Sequence, residues 1–516
     1  MTDNHNALNN TAPNNTAPNN TAPKNTAPNN DAFQNIVALL PSQHLDRAAI
    51  VQDGVTMSRH DLQIAAGDLR AFLTDRSIGP GDKVAVAAGS EAEFCVALLG
   101  VLGVGAALVP MNPKSPPAEI NRQLETINPR LVLLSTLAAP IAQRAAEITS
   151  NVAALTEIPP VDPLSHPPIA TRQPGDLALL MLTSGTAGVP KAAMISQRNL
   201  SWTTHALGIG HSDGLKESDI ALATLPTAHI FGLLLILTAL RQGSVLVFQT
   251  AFDIESSLDL TRRHGVTVLN GAPPMWRGWA DAVGSDDRLS SVRRGLSGAA
   301  ALPEQTFDDI QARYGFALHE GYGMTETCAV ISSSLGHQPR RGSVGRVFDG
   351  LEMVLVDDSG DVVQPGDTGE IAVRGPNVFS GYWHDQEATD LTLSPDGWLW
   401  TGDAGIVDQD GWLWIVDRLK DVVNVSGFNV YPSEVEEIIA THPQIAAAVV
   451  SGAPHARRGE TVVAHVRAAT DQSVNTDQVL GWLRERLSHY KIPTEITVVA
   501  DLPISPAGKV ARRSLR

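Results

Sequence analysis

The stretch LALLMLTSGTAGVPKAAM runs from Leu177 to Met194, and its reading decides the fold. The first half is an unbroken apolar run, the pattern of a strand covered on both faces. At Thr183 the run stops. Thr183, Ser184, Gly185, Thr186 and Gly188 follow, with Lys191 placed behind Pro190. Hydroxyls, glycine-freed backbone amides and one cation are donors that suit a polyphosphate. The spacing is not that of a Walker loop, which needs four residues between its glycines and a terminal Gly-Lys-Ser/Thr; only two separate Gly185 from Gly188. The expectation is a buried strand running into a strand-to-helix loop that wraps phosphate by other means.

Working outward, KVAVAAG (Lys83 to Gly89) and RLVLLS (Arg130 to Ser135) carry the same buried-strand pattern. Phe94 to Met111 is 18 residues without a charge, near the lower limit for a membrane span. Gly100, Gly103 and Gly105 weaken a spanning helix, so a buried helix followed by a buried strand is expected there. Further on, Glu255 to His264 reads as a helix ended by Gly265, with VTVLN as the next strand. Pro303 opens another helix, Gly315 closes it after Tyr314, and FALHE leads into GYGMTET (Gly321 to Thr327). Such alternation predicts α/β layers with mainly parallel sheets. Ligands in those folds sit beyond the carboxyl ends of the strands, where both LTSGTAG and GYGMTET stand.

After Trp383 the texture changes. Two Asp-Gly turns punctuate aromatic β-type runs in DGWLWTGDAGIVDQDGWLWIVDR, which predicts hairpins. Ser433 and Glu436 have the spacing of a capping box, and Val435, Ile438 and Ile439 supply one apolar face. The fold class expected is α/β: a large N-terminal domain of layered α/β subdomains with a small β subdomain over residues 31–417, then a small mobile α+β C-terminal domain over 418–516. At the other end, Asn9 to Asn30 repeats Asn-Thr-Ala-Pro with almost no large apolar residue. It cannot bury enough surface to offset its ordering, so residues 1–30 are expected to be a disordered tail. The tail has no apolar h-region, so a secretory signal is not expected.

A formal charge of −17 argues against a nucleic-acid partner, which would need a basic face. Two cysteines, Cys95 and Cys328, make neither a disulfide framework nor a zinc cluster, and a reducing cytoplasmic setting is expected.

LTSGTAGVPK, GYGMTET, TGD (Thr401 to Asp403), DRLKDVVNVSGFNVYPSEVE (Asp417 to Glu436) and PISPAGKVARRSL (Pro503 to Leu515) occur in one order. Together they resemble the adenylate-forming superfamily of acyl-CoA synthetases, peptide-synthetase adenylation domains and beetle luciferases. The resemblance covers essentially everything after the Asn-rich tail. It implies an AMP-forming acid–thiol ligase that uses ATP, Mg²⁺ and coenzyme A: a carboxylate is joined to AMP with loss of pyrophosphate, then passed to sulfur. Such chemistry requires a site that brings two anions together and stabilises the crowded α-phosphate.

Residue by residue, the resemblance implies that Lys191 and the Thr183, Ser184, Gly185, Thr186 and Gly188 loop hold the β- and γ-phosphates. Glu326 binds Mg²⁺, a hard cation that takes oxygen ligands. Thr325 donates to the α-phosphate or the acyl oxygen. Tyr322 stacks on adenine, with the backbone of Gly298, Ala299 and Ala300 on the other side. Asp403 accepts from the ribose hydroxyls with help from Arg418. His229 stands near the acyl carboxylate and the thiol entrance, and Lys509 reaches the α-phosphate and carboxylate in the adenylation transition state. The small domain then swings about Lys420 and brings the segment at Gly427 to shape the pantetheine tunnel. Ala187 and Ala192 replace a hydroxyl residue and a glycine often found in the family, which predicts tuning and not loss of activity.

The acyl wall is expected around His229 to Leu234, Gly271 to Trp276 and Ser297 to Ala301. Its apolar texture points first to a medium or long fatty acid, then to an aromatic acid such as a cinnamate. A carrier protein is the alternative acceptor to CoA. No transmembrane segment is expected, and a homodimer is an allowed assembly.

Overall fold

The structure, a computed structural model, describes residues 35–141, 145–147, 151–183, 191–282, 284, 286–357, 359–425, 428–455, 459–469 and 472–502. The expected tail over residues 1–30 lies outside them.

The apolar runs form the interior of a six-stranded sheet. Its order is Val152–Ala154, Leu131–Leu134, Lys83–Ala87, Ala107–Met111, Leu177–Thr183 and Lys191–Ser196. Every pairing is parallel except the last. A second, nine-stranded sheet has the order Arg346–Val347, Ser332–Ser333, Ala317–Tyr322, Arg294–Ser297, Val268–Gly271, Ile220–Ala223, Val245–Phe248, Ala48–Gln52 and Val55–Ser58. Its centre is parallel and both ends turn antiparallel.

Between the two sheets lie the helices Arg59–Asp75, Ala92–Val104, Gln197–Leu207 and Ile230–Gln242. One continuous apolar cluster joins them to Val84, Val86 and Leu108 of one sheet and Ile50, Leu246 and Phe248 of the other. Helices Ile254–His264, Pro273–Asp281 and Glu304–Tyr314 cover the outer face of the nine-stranded sheet around Trp276 and Trp279. Helix Pro117–Ile127 covers the outer face of the six-stranded sheet. The result is a five-layer α/β/α/β/α body.

The charge-free stretch divides as expected into helix Ala92–Val104 and strand Ala107–Met111, joined at Gly105 with φ 86°. The glycines inside the helix do not break it. A Cβ on Gly100 would stand 2.5 Å from Leu69, and one on Gly103 would stand 2.8 Å from Arg70. Both glycines therefore let helix Arg59–Asp75 approach closely, and the packing gained offsets their low helix propensity.

Two smaller sheets follow. Glu352–Val356, Thr368–Arg374, Leu399–Val407 and Leu413–Arg418 form an antiparallel four-stranded sheet, in which the last two strands are the expected hairpin. The last sheet has the order Phe428–Val430, Val423–Val425, Gly459–Ala468, Ile445–His455, with Glu495–Val498 parallel to Gly459–Ala468. It packs helices Pro432–Ala440 and Thr476–Arg484 around a separate apolar cluster of Val425, Val435, Ile439, Val450, Val466 and Leu483. The short 3₁₀ turn Leu419–Asp421 lies between these two sheets.

The expected capping box does not form. The N-cap of helix Pro432–Ala440 is Tyr431, with no side-chain cap bond. Ser433 instead donates its hydroxyl to Val416 O at 2.7 Å and to Asp417 Oδ2 at 2.9 Å. Glu436 accepts from Val450 N at 2.7 Å. Both side chains are committed to strands outside the helix.

Candidate active site

The carboxyl ends of two sheets supply the site. Strand Leu177–Thr183 does not run into a helix. It turns back into strand Lys191–Ser196, and Thr183 lies opposite Lys191. This corrects the strand-to-helix expectation: the helix that follows, Gln197–Leu207, starts only after Ser196 caps it. Lys191 thus stands on an edge strand at the foot of a hairpin. Ser184, Gly185, Thr186 and Gly188, like Gly427 and Lys509, lie outside the described residues.

From the other sheet, strand Ala317–Tyr322 ends in a tight turn. Ile331 N donates to Tyr322 O at 2.7 Å, and Ala329 N donates to Met324 O at 2.9 Å. A Cβ on Gly323 would lie 2.1 Å from the Ala329 carbonyl oxygen, so only glycine lets the turn close. The turn half-exposes Thr325 and buries Glu326 to 7 % exposure.

A third segment, Asn377 to Trp383, straps these two parts together. Asn377 Nδ2 donates to Thr327 O at 3.0 Å, and Phe379 N donates to Glu326 O at 2.8 Å. Ser380 N and Trp383 N donate to Met194 O and Ala192 O of the edge strand, at 2.9 and 2.8 Å. Within the strap, the Tyr382 hydroxyl donates to Glu326 Oε1 at 2.5 Å, and the Lys191 ammonium stands 5.0 Å from the centre of the Tyr382 ring. Burial, with the neighbouring Glu326 charge, pushes the Tyr382 phenol well up, so it stays a donor. Tyr382 was not singled out in the sequence, because its role depends on partners distant in the chain.

Asp403, on strand Leu399–Val407, is 4 % exposed. It accepts from the Tyr322 hydroxyl at 2.7 Å through Oδ2, and Arg418 Nε lies 3.1 Å from Oδ1. Arg418 is directly opposite Asp403 in the sheet register. Tyr322 is also raised, first by burial and then by the Asp403 charge. The triplet Tyr322, Asp403 and Arg418 therefore joins the nine-stranded sheet to the four-stranded one.

Gly298, Ala299 and Ala300 follow strand Arg294–Ser297. Ala299 has φ 72°, a left-handed conformation that a non-glycine residue holds only when its surroundings enforce it. His229 is the N-cap of helix Ile230–Gln242, where its Nδ1 accepts from Phe231 N at 3.2 Å. Phe231 stands 3.3 Å from the place of a Cβ on Gly298, so the histidine's helix and the Gly298 segment face each other.

Another residue absent from the sequence reading is Glu320, directly before Gly321. It is 5 % exposed, and burial pushes its carboxyl up to about 8. Cys328 and Cys95 are fully buried, and burial pushes the Cys328 thiol up to about 12; neither is poised as a nucleophile.

Among the described residues no group of three or more His, Cys, Asp or Glu side chains could hold a metal ion. The buried carboxylate of Glu326, linked to Lys191 through Tyr382, suits a cation that completes its shell with phosphate oxygens and water, the habit of Mg²⁺. No helix among the described residues is long and apolar enough to cross a membrane.

The family model described as AMP-binding enzyme matches residues 40–383. The chain belongs to the AMP-binding enzymes. The model described as AMP-binding enzyme C-terminal domain matches residues 434–509 of this AMP-binding enzyme. It is 32% identical to 4-coumarate–CoA ligase 3 of Oryza sativa subsp. japonica over 90% of this chain and 88% of that one. It is 29% identical to the long-chain-fatty-acid–CoA ligase of Bacillus subtilis (strain 168), over 93% of both chains. The crystal structure of ATP-bound MatB from Rhodopseudomonas palustris superposes with a TM-score of 0.87 at 30% identity, covering 94% of this AMP-binding enzyme and 98% of that chain. These likenesses place it in the adenylate-forming superfamily, with the α/β body and the small C-terminal domain of that fold.

Proposed function

We propose that this AMP-binding enzyme is an acid–thiol ligase, which joins a carboxylic acid to AMP with release of pyrophosphate and then transfers the acyl group to coenzyme A. The observation that carries this reading is the Tyr382 bridge. One phenol links the lysine at the foot of the phosphate hairpin to the buried carboxylate of the GYGMTET turn, through a hydrogen bond of 2.5 Å and a ring contact of 5.0 Å. That juxtaposition of a cation and a potential metal ligand is what a nucleotide triphosphate requires.

In this reading Lys191, Thr183 and the loop of Ser184, Gly185, Thr186 and Gly188 hold the terminal phosphates, and Glu326 holds Mg²⁺, which neutralises phosphate charge when bound. Thr325 donates to the reacting oxygens. Tyr322 and the Gly298–Ala300 backbone flank adenine, while Asp403 and Arg418 take the ribose. His229 stands by the acyl carboxylate at the start of its helix. The chain divides at 417/418 with a hinge at Lys420, and the small domain presents Lys509 and then Gly427 to the same site.

The acid is apolar in its body. A medium or long fatty acid suits the apolar sequence of the His229–Leu234, Gly271–Trp276 and Ser297–Ala301 stretches. A compact aromatic acid such as a cinnamate is the alternative reading, supported by the 32% identity to a relative named for that class. The names of the relatives span both classes.

Pyrophosphate release across a panel of fatty and aromatic acids, with and without CoA, tests the reading. Release that depends on acid, and an acyl-thioester that forms only with CoA, are expected. Formation of ADP in place of AMP would point to a phosphotransferase and overturn it.

A further inference from the structure

The nine-stranded sheet carries a charge in its interior. In strand Arg294–Ser297 a Cβ on Gly295 would meet Trp276 on the outer face, so Arg294 points to the inner face. Its register partner Val268 and, one strand further, Ala221 join the apolar cluster between the two large sheets. Arg294 is 2 % exposed, and its Nε and Nη1 are buried with no hydrogen-bond partner among the described residues. Burial lowers its guanidinium to about 10, which leaves it charged at neutral pH.

His319 stands beside it. Arg294 pairs with Ala317 and Leu296 with His319, so the histidine lies one strand across and two residues along, on the same face. It is 1 % exposed, and its Nε2 is also buried without a partner among the described residues. Burial first, then the Arg294 charge, push its imidazole down to about 4, so it is neutral. Its Nδ1 lies 3.2 Å from the Ser334 hydroxyl, whose oxygen accepts from Glu320 N at 3.2 Å. The hydroxyl hydrogen has no acceptor but Nδ1 among the described residues. The imidazole therefore carries its own hydrogen on Nε2.

The orphaned groups are thus all donors, gathered around a positive charge. The nearby carboxylates are engaged elsewhere. Arg293 takes Asp219 through two contacts of 2.8 and 2.5 Å. The Asp213 charge acts on both Arg294 and His319, yet its carboxylate accepts from Gly336 N at 3.2 Å and pairs with neither of them among the described residues. Buried charges in folded proteins are paired. Water would satisfy the donors without bringing a counter-charge, whereas an anion does both. Full burial of the two side chains limits that anion to the size of a halide.

We propose that Arg294 and His319 form an interior binding site for one small monovalent anion, chloride in size and charge. Arg294 opens its strand, at the end away from Gly298–Ala300, so the site is separate from the one that takes the nucleotide and stands whether or not the acid-activating reading holds. His319 is three residues before Tyr322, so the ion also pins the strand that feeds the GYGMTET turn.

Two measurements on the full chain test this. Crystals grown from bromide in place of chloride, read at the bromine absorption edge, should show an anomalous peak within hydrogen-bonding reach of the Arg294 guanidinium and His319 Nε2. Thermal unfolding at fixed ionic strength, with chloride exchanged stepwise for the much larger gluconate, separates a bound ion from screening of the −17 net charge. Wild type should melt higher in chloride, by a few degrees and saturably, as for any ligand of the folded state alone. Arg294→Met removes the charge and should lose both the peak and the chloride response. His319→Leu should need roughly tenfold more chloride for half the shift, the loss of one hydrogen bond to a charged group. Bromide peaks at surface positions only, identical melting of wild type in the two salts, or an undiminished chloride response in Arg294→Met overturns the proposal and leaves a charge hydrated by buried water. If Arg294→Met does not fold, the wild-type bromide peak decides.

Discussion

A carboxyl group pushed up to about 8 makes Glu320 a proton holder inside the nine-stranded sheet. The unfolded chain would release that proton near the ordinary value of 4.5, while the folded chain keeps it until about 8. Between those values the folded state binds more protons than the unfolded one, so stability falls as pH rises through the window. Above pH 8 the penalty is complete, and below 4.5 it is absent. Glu320→Gln removes the titration. Relative to wild type, the variant should gain on the order of a few kcal/mol at pH 8 and little at pH 5. Denaturant unfolding at both pH values measures this, and parallel behaviour of the two proteins would count against a buried neutral carboxyl. Tyr322, Asp403 and Arg418 show the same scale from another side. Each was legible from its motif, but the hydrogen bond between Tyr322 and Asp403 was not, because 81 residues separate them.

Among elements, the pair of helices Arg59–Asp75 and Ala92–Val104 carries the sharpest expectation. Gly100 faces Leu69 so closely that a methyl group would need the leucine to move. Gly100→Ala should destabilise by about 1–3 kcal/mol. Adding Leu69→Ala should cost less than the sum of the two single changes, because the second opens room for the first. A strictly additive cycle in thermal or denaturant unfolding would contradict the close approach. The long apolar strands were legible because burial on both faces leaves an unbroken apolar run, as in Leu177–Thr183. The strand Lys191–Ser196 was missed because it follows a glycine-rich loop and opens with a lysine, a texture that also suits a helix start. The box at Ser433 was misread for a different reason: spacing names the candidate partners, but Val416, Asp417 and Val450 compete for the same side chains, and they are near only in the folded chain. Tyr382 left no local signal at all.

At the scale of the molecule, two large sheets share one set of helices, whereas the last sheet has its own apolar cluster. A motion between these bodies can therefore change the face presented to the site without disturbing either interior. If the small domain serves two half-reactions in turn, Lys509→Ala should abolish adenylation, read as acid-dependent pyrophosphate release. The same variant should still form thioester from acyl-adenylate supplied with CoA. Equal loss of both half-reactions in a folded variant would argue for a single fixed arrangement.

The self-contained interior of the small domain also bears on descent. A crossover in the gene near codon 420 would exchange one lineage's small domain for another's across two separate apolar interiors, with the polar contacts of Ser433 to Val416 and Asp417 and the facing charges of Glu304 and Glu437 to match among the described residues. If acid recognition belongs to the larger part, as proposed above, recombination at that seam offers a route to new turnover behaviour with the choice of acid inherited intact.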